Sequence, residues 1–546
     1  MDGNLTDEDE IATAEPSVAV ASDVTTGRLV QSSAVVAVGT AASRITGLVR
    51  VAVIGAVFGL GALADSYALA NNTPNMVYEL ILGGVLSATL VPILVEQAGR
   101  DDPDGASAIV TVAAVVLVVI SAIGVVAAPA IFQLYAWRLT PEEAAVQAEL
   151  AVPFMRMFLP QMFFYGLTAL ATALLHARRR FFAPAFSPIL NNVVVCAALL
   201  LAAAVAGETL TFALVRENVG LQLLIGLGTT AGIVAMTVPL VPAVRRAGWR
   251  LRWNLDWKHP AVIQVLRLSG WTVGYVAANQ VGLAVLLALA YDQPGQVAAY
   301  TFAFVFFQLP HGLIAVSFMT TFVPEMADAA IRRDWPAYRD RLSLGIRLMA
   351  TLILPASIGY VLLSRPLVSV LLQRGEFDAA DARLTAGVLA GFAVGLLGFS
   401  VYLFALRGFY ALRDTRTPFV LNLVANGLKV ALAVALVGDH GAKGLALAYA
   451  VSYSVVAVVA LVVLGRRVGG IHGRRLAASL ARLTLAAAVM GVAVWVVTRT
   501  VGGPTGGEAV LQVTVAVVVG VAVYAAALLL LRADEIGGLR SRLRRR

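Results

Sequence analysis

Charge is scarce in this sequence. Only 13% of its 546 residues are Asp, Glu, Lys or Arg, while 59% are hydrophobic. A water-soluble chain carries about a quarter charged residues, so a soluble fold is excluded. Cysteine is almost absent. The single Cys196 lies in an apolar run and excludes an intramolecular disulfide and any cysteine metal cluster. No Walker glycine loop, no carboxylate cluster with metal spacing and no long polar loop to hold a soluble active site occurs. The expectation is therefore no catalysis, no metal and no cofactor. Residues 1–27 lack the basic start and apolar core of a cleaved signal peptide. With Asp7, Glu8, Asp9 and Glu10 they read as a disordered acidic cytoplasmic tail. The net charge of +9 does not argue for nucleic acid, because most of the arginines fall in loops on one side of a membrane.

What is present in abundance is apolar runs long enough to cross a bilayer, each needing about 20 residues. Fourteen are expected, near 29–60, 65–97, 107–136, 149–176, 185–206, 219–244, 261–292, 296–327, 342–372, 382–412, 418–438, 443–465, 476–500 and 508–531. The fold class is an all-α polytopic membrane protein. Every second loop is basic: Arg178-Arg179-Arg180, the Arg245–Lys258 stretch, Arg332-Arg333, Arg413 with Arg416, and Arg466-Arg467. Basic loops stay in the cytoplasm, which places both termini there and the protein in a bacterial cytoplasmic membrane.

An internal repeat divides the chain. Pro92 with Arg100 matches Pro324 with Arg332, Pro184 with Asn192 matches Pro418 with Asn426, and Pro129 matches Pro366. The matched prolines lie 232, 234 and 237 residues apart, in the same order. Two homologous six-helix lobes of the same orientation follow, an arrangement that transporters place around a central cavity. The expected organisation is a tail at 1–27, a first lobe at 28–244, a basic linker at 245–260, a second lobe at 261–465, two further helices at 476–531 and a basic tail at 532–546.

Two arginines interrupt the first apolar run, in Ser43-Arg44-Ile45-Thr46-Gly47-Leu48-Val49-Arg50. An arginine at a helix centre costs about 2.5–3.5 kcal/mol on insertion scales, so such residues face the bundle interior, water or an anionic ligand. On the second helix Asp65, Asn72, Asn75 and Glu79 follow at i, i+7, i+10 and i+14 and share one face. Glu79 or Asp65 is expected to hold Arg44 or Arg50, either structurally or while the site is empty. In the second lobe Asn279 reads as an interhelical hydrogen bond, Gln308 as a wall of the cleft, and His311 as packing or a helix break beside Pro310. Lys429 is unpaired in sequence and either lines a groove or snorkels.

These residues resemble the MurJ/MviN family of lipid II flippases, in the multidrug/oligosaccharidyl-lipid/polysaccharide exporter superfamily. The resemblance runs from about Gln31 to Leu531. It rests on Ser43–Arg50, Asp65 with Thr73-Pro74-Asn75, Val91-Pro92-Ile93-Leu94, Phe182–Pro188 with Asn191-Asn192, Gln308–Gly312, Gly375-Glu376-Phe377 and Phe409–Asp414 with Thr417-Pro418. Loop pieces such as Asp101–Gly105 look most like actinobacterial members. The resemblance implies two six-helix lobes in a V and a hydrophobic groove on two extra helices. It implies a substrate, undecaprenyl-diphosphate-linked peptidoglycan precursor, carried to the outer leaflet by alternating access. The implied partners are lipid II, membrane lipids and cell-wall synthesis proteins. Arg44 and Arg50 match the family's arginines that meet the diphosphate, and Asp65 and Asn75 match functional positions. Ser43, Asn72, Glu79, Gln308 and Lys429 complete the expected substrate site. The chain departs from many Gram-negative members, which have a basic pair where it has Tyr78 and Glu79, and an arginine where it has Val305. Alternatives are a flippase for another polyprenyl-linked glycan, a multidrug antiporter of the same superfamily, and a polytopic glycosyltransferase using a polyprenyl donor.

Overall fold

The computed structural model describes residues 18–81, 93–96 and 103–533, and no strand occurs among them. The landmarks Pro92, Arg100 and Asp101 lie outside the described residues. The chain runs through α1 (Val18–Phe58), α2 (Ala62–Ile81), α3 (Pro103–Tyr135), α4 (Pro141–Phe158), α5 (Gln161–Ala177), α6 (Phe182–Ala206), α7 (Phe212–Glu217), α8 (Val219–Thr237) and α9 (Leu240–Arg246). The second half comprises α10 (Pro260–Ala290), α11 (Gln296–Pro310), a π turn (His311–Ala315), α12 (Val316–Ile331), α13 (Trp335–Leu372), α14 (Ala379–Val394), α15 (Leu396–Ala411) and α16 (Arg416–Val468). Two more helices follow, α17 (Gly473–Thr500) and α18 (Gly506–Leu530). Because α1 begins at Val18, residues 18–27 are helical and not the disordered tail expected for 1–27. No proline occurs between Val18 and Phe58 to stop the helix extending outward from the span, and Gly27 is tolerated within it.

Among the described residues eleven helices are long and apolar enough to cross a membrane, and the pair α14 and α15, bent by 47°, makes a twelfth span. Physical reasons connect that number to the fourteen expected. Helix α16 holds 53 residues and would be about 80 Å long at 1.5 Å per residue, more than twice a bilayer core. It breaks at Gly441, whose φ of 53° and ψ of −140° no helix adopts, so it supplies two spans. Helix α2 is the other. Its polar face dilutes its hydropathy, and its continuation lies outside the described residues.

The repeat is visible in the hydrogen bonds. In the first lobe, Asn192 on α6 reaches back to α1, donating to Thr46 Oγ1 at 2.9 Å and to the Ser43 carbonyl at 3.3 Å. In the second lobe Asn426 on α16 does the same to α10, donating to Asn279 Oδ1 at 2.9 Å. Asn422 joins it at 3.1 Å. A buried amide must be satisfied inside an apolar bundle, so this one contact fixes how each lobe's first helix sits on its fifth. Asn426 also accepts from Lys429 Nζ at 2.7 Å. Asn426→Ala therefore strands the buried ammonium and leaves Asn279 only its bond from Asn422. It is expected to cost about 2–3 kcal/mol, read as a lower thermal midpoint of the purified protein, while Asn422→Ala costs less.

An aromatic cluster of Tyr300, Phe307, Phe392, Phe399 and Tyr449, with ring centroids 5.0–5.7 Å apart, knits α11, α14, α15 and α16 together. Helices α17 and α18 pack on each other and on α13.

The basic loops share one backbone device. Arg179, Arg333, Arg413 and Arg532 each sit just past a helix end with φ of 52–59°. That left-handed position is where glycine usually stands. Arginine there places a cation at the negative end of the helix dipole. At one of these turns Arg467 pairs with Asp414, which also accepts from the Thr417 amide. Burial alone would raise the Asp414 carboxyl, but the Thr417 hydroxyl and amide with the Arg467 guanidinium outweigh it and hold it below the usual carboxylate range. The linker packs on the first lobe through the Arg252 and Asn254 amides, which donate to Ser107 and Thr111.

Candidate functional site

Arg44 and Arg50 are both half-buried in α1, and among the described residues neither makes an ion pair. Arg44 lies across the lobe boundary against the π turn. A Cβ added at Gly312 would be 2.8 Å from its Nη2, so any other residue there would push the guanidinium aside. Arg50 points into the first lobe. Its charge acts on Tyr67, Tyr165 and Cys196, and its Nε is buried without a hydrogen-bond partner. Two cations at membrane depth thus retain donors without an ion-pair partner among the described residues.

The expected pairing of Asp65 with an arginine does not occur. Asp65 is 2% exposed and turned instead to the second lobe. Its Oδ2 accepts from the Gly295 amide at 2.6 Å and its Oδ1 from the Ala298 amide at 2.8 Å. These are the free donors at the start of α11, so a carboxylate from one lobe caps a helix of the other. Further polar links lie at the same end. The Leu60 amide donates to Asp381 at 2.9 Å, the Glu376 amide to the Ala56 carbonyl at 2.9 Å, and Thr209 to Glu376 at 3.0 Å. Arg138 pairs with Asp292 at 2.9 Å. At Gly59, where φ is +59°, a Cβ would stand 2.7 Å from the Glu376 carbonyl oxygen. This latch closes the end opposite the basic turns.

The remaining predicted residues divide. Asn72 crosses between lobes, donating to Thr301 at 3.3 Å, while Asn75 donates within α2 to the Asn71 carbonyl at 2.9 Å. Ser43 contributes its carbonyl to Asn192 and to Thr46. Glu79 is exposed, and no ion pair joins it to Arg44 or Arg50 among the described residues. Gln308 is half-buried on α11. Lys429 is 4% exposed, bonded to Asn426 and 5.8 Å from the Tyr449 ring centroid, so its contacts stay within the second lobe. It neither snorkels nor joins the arginines. Sequence reasoning missed Asp381 and Glu376 as parts of the latch and Gly312 as the seat of Arg44. The signals were on hand in Gly375-Glu376-Phe377 and Pro310-His311-Gly312, but nothing local names a partner on another lobe.

An open apolar groove runs between α13 and α17, lined by Ile358, Leu362, Gly491, Val492 and Trp495 among others.

A model of the lipid II flippase MurJ family matches residues 54–524. The probable lipid II flippase MurJ of Vibrio cholerae is 28% identical over 520 residues, covering 92% of this chain and 96% of the relative. The lipid II flippase MurJ of Burkholderia cenocepacia is 30% identical over 410 residues, covering 73% and 77%. Among solved structures, lipid II flippase MurJ in an inward closed conformation superposes with a TM-score of 0.74 at 19% identity, over 92% of this chain and 99% of that one. A multidrug resistance MATE family transporter in an inward-facing conformation gives 0.62 at 16% identity, over 78% and 94%. The last two establish a shared fold.

Proposed function

The chain belongs to the lipid II flippase MurJ family, and on that premise we propose that Arg44 and Arg50 receive the diphosphate while the two lobes rock around it. The protein is a multi-pass membrane transporter that translocates lipid II. The observation that carries the site assignment is the pair of guanidiniums in α1, at membrane depth, without ion-pair partners among the described residues. A diphosphate cannot enter hydrocarbon unpaired. Charge-assisted bonds from two arginines meet that need.

The cycle follows from where the latch sits. The left-handed arginine turns mark the cytoplasmic end by the positive-inside rule, so both termini are cytoplasmic and the latch is external. With the latch shut, the head group enters from the cytoplasmic end and meets Arg44 and Arg50. The polyprenyl tail stays in lipid, along the groove between α13 and α17. Opening of the Asp65 cap on α11 then releases the head group outward. The MATE neighbour shares the fold, but a site built on two arginines suits an anionic substrate and not a cationic drug. A glycosyltransferase reading predicts a polymerised product from lipid II and the purified protein, and none is expected.

The central test is leaflet accessibility. Cells depleted of this protein are expected to lose externally accessible lipid II while total lipid II accumulates; unchanged external lipid II would refute the assignment. A finer test concerns the seat of Arg44. Gly312→Ala pushes against a movable side-chain end, so the protein should still fold. A displacement of about 1 Å from productive geometry costs roughly 100-fold in a positioned reaction, and a drop of that order in flipping rate is expected in proteoliposomes.

A further inference from the structure

We propose that His311 is a direct ligand of the lipid II diphosphate, presented by the second lobe to the oxygens that Arg44 receives from the first. This rests on the flippase reading above. His311 is the first residue of the π turn, and such turns recur at functional sites because they break the regular backbone pairing. Its side chain is fixed twice. Nδ1 lies 3.0 Å from Ser400 Oγ on α15, and the ring packs 4.7 Å from the Phe399 ring centroid. When the Ser400 hydroxyl donates to Nδ1, the ring takes the tautomer whose proton is on Nε2. Nε2 has no hydrogen-bond partner among the described residues and is not among the sealed polar atoms, although the residue as a whole is 8% exposed. The next residue, Gly312, lies directly against the Arg44 guanidinium, and the Arg44 charge acts on the His311 ring. A buried, oriented ring, its Nε2 without a hydrogen-bond partner among the described residues, thus lies within the influence of a cation on the opposite lobe.

The chemistry suits a phosphate oxygen. An imidazole N–H donates to it without adding another charge to the membrane interior, where an unpaired charge is costly. It also supplies a contact from the second lobe, where Val305 leaves no cation on α11. A head group held by Arg44 on one side and His311 on the other bridges the lobes, so binding favours the conformation in which both reach it.

The test uses full-length protein in lipid nanodiscs, with lipid II and undecaprenyl diphosphate as probes. His311→Ala is expected to weaken both about tenfold, the loss of one hydrogen bond to a charged group. His311→Gln, which keeps an N–H at similar reach, should stay within about threefold of wild type. Ser400→Ala frees the ring and should fall between them. Equal affinities for wild type and His311→Ala, or no rescue by glutamine, would overturn the proposal. If His311→Ala does not fold, Ser400→Ala decides, with unchanged affinity counting against. Failure of wild type to bind lipid II would instead strike the flippase reading itself.

Discussion

Cells depleted of their lipid II flippase are expected to die when supplied with this protein carrying Arg44→Ala and Arg50→Ala together. The two positions make no structural ion pair among the described residues, so truncation removes donors that the fold does not need. A hydrogen bond to a charged group is worth about 1.5–3 kcal/mol, so losing one arginine weakens diphosphate binding by roughly 10- to 100-fold and losing both by the product. The single substitutions should separate. Arg44 stands at the lobe boundary against Gly312, and Arg50 faces Tyr67 and Tyr165 inside the first lobe. Arg44→Ala should therefore weaken both binding and the approach of the lobes, whereas Arg50→Ala should act on binding alone. Arg44→Lys keeps the charge but loses the planar fork that grips phosphate bidentately, and should retain partial activity. Membrane abundance measured in parallel separates these losses from misfolding. Full complementation by the double variant at normal abundance would remove the head-group role.

How much of this was legible beforehand depends on whether the signal was local. The spans were, because hydropathy over about 20 residues is a property of the stretch itself. The break at Gly441 was, since the chain cannot continue one helix through twice the bilayer thickness. The repeat was legible through Asn192 and Asn426, whose equivalent reaches to α1 and α10 give the matched spacing its physical cause. The arginines announced themselves by the cost of their setting. What failed was the choice of partners. Opposite charges on neighbouring helices suggested Asp65 with Arg44 or Arg50, but the unsatisfied amides of α11 took the carboxylate, from 230 residues away. A helix N-terminus is an anion site that sequence does not mark when its cap comes from elsewhere. His311 read as packing or a helix break, and it does open the π turn and pack on Phe399; its bond to Ser400, 89 residues on, is what only the fold supplies. Lys429 left lining a groove and snorkelling both open because neither Asn426 nor the Tyr449 ring is an opposite charge.

Asp65→Ala is expected to open the latch and abolish transport while leaving the protein folded. The carboxylate accepts two backbone N–H bonds at 2.6 and 2.8 Å in a buried setting, each worth about 1.5–3 kcal/mol. Truncation also leaves two amides of α11 unpaired, so the closed state loses at least about 3 kcal/mol relative to an open one in which water can reach them. That shift exceeds 100-fold in population, enough to invert a modest preference. The Leu60–Asp381, Ala56–Glu376 and Arg138–Asp292 links remain, so the lobes loosen at this end and do not separate elsewhere. Spin labels at Glu142 and Gln293, both exposed at the latch end, report the change directly. Their distance distribution should lengthen in Asp65→Ala and lengthen less in Asp65→Asn, which keeps one acceptor oxygen. Transport should fall in the same order as the latch opens, because a carrier resting open to the outside no longer returns to collect lipid II from the cytoplasmic leaflet. Unchanged distances in Asp65→Ala with transport nevertheless lost would mean that the carboxylate acts on the substrate and not on the lobes.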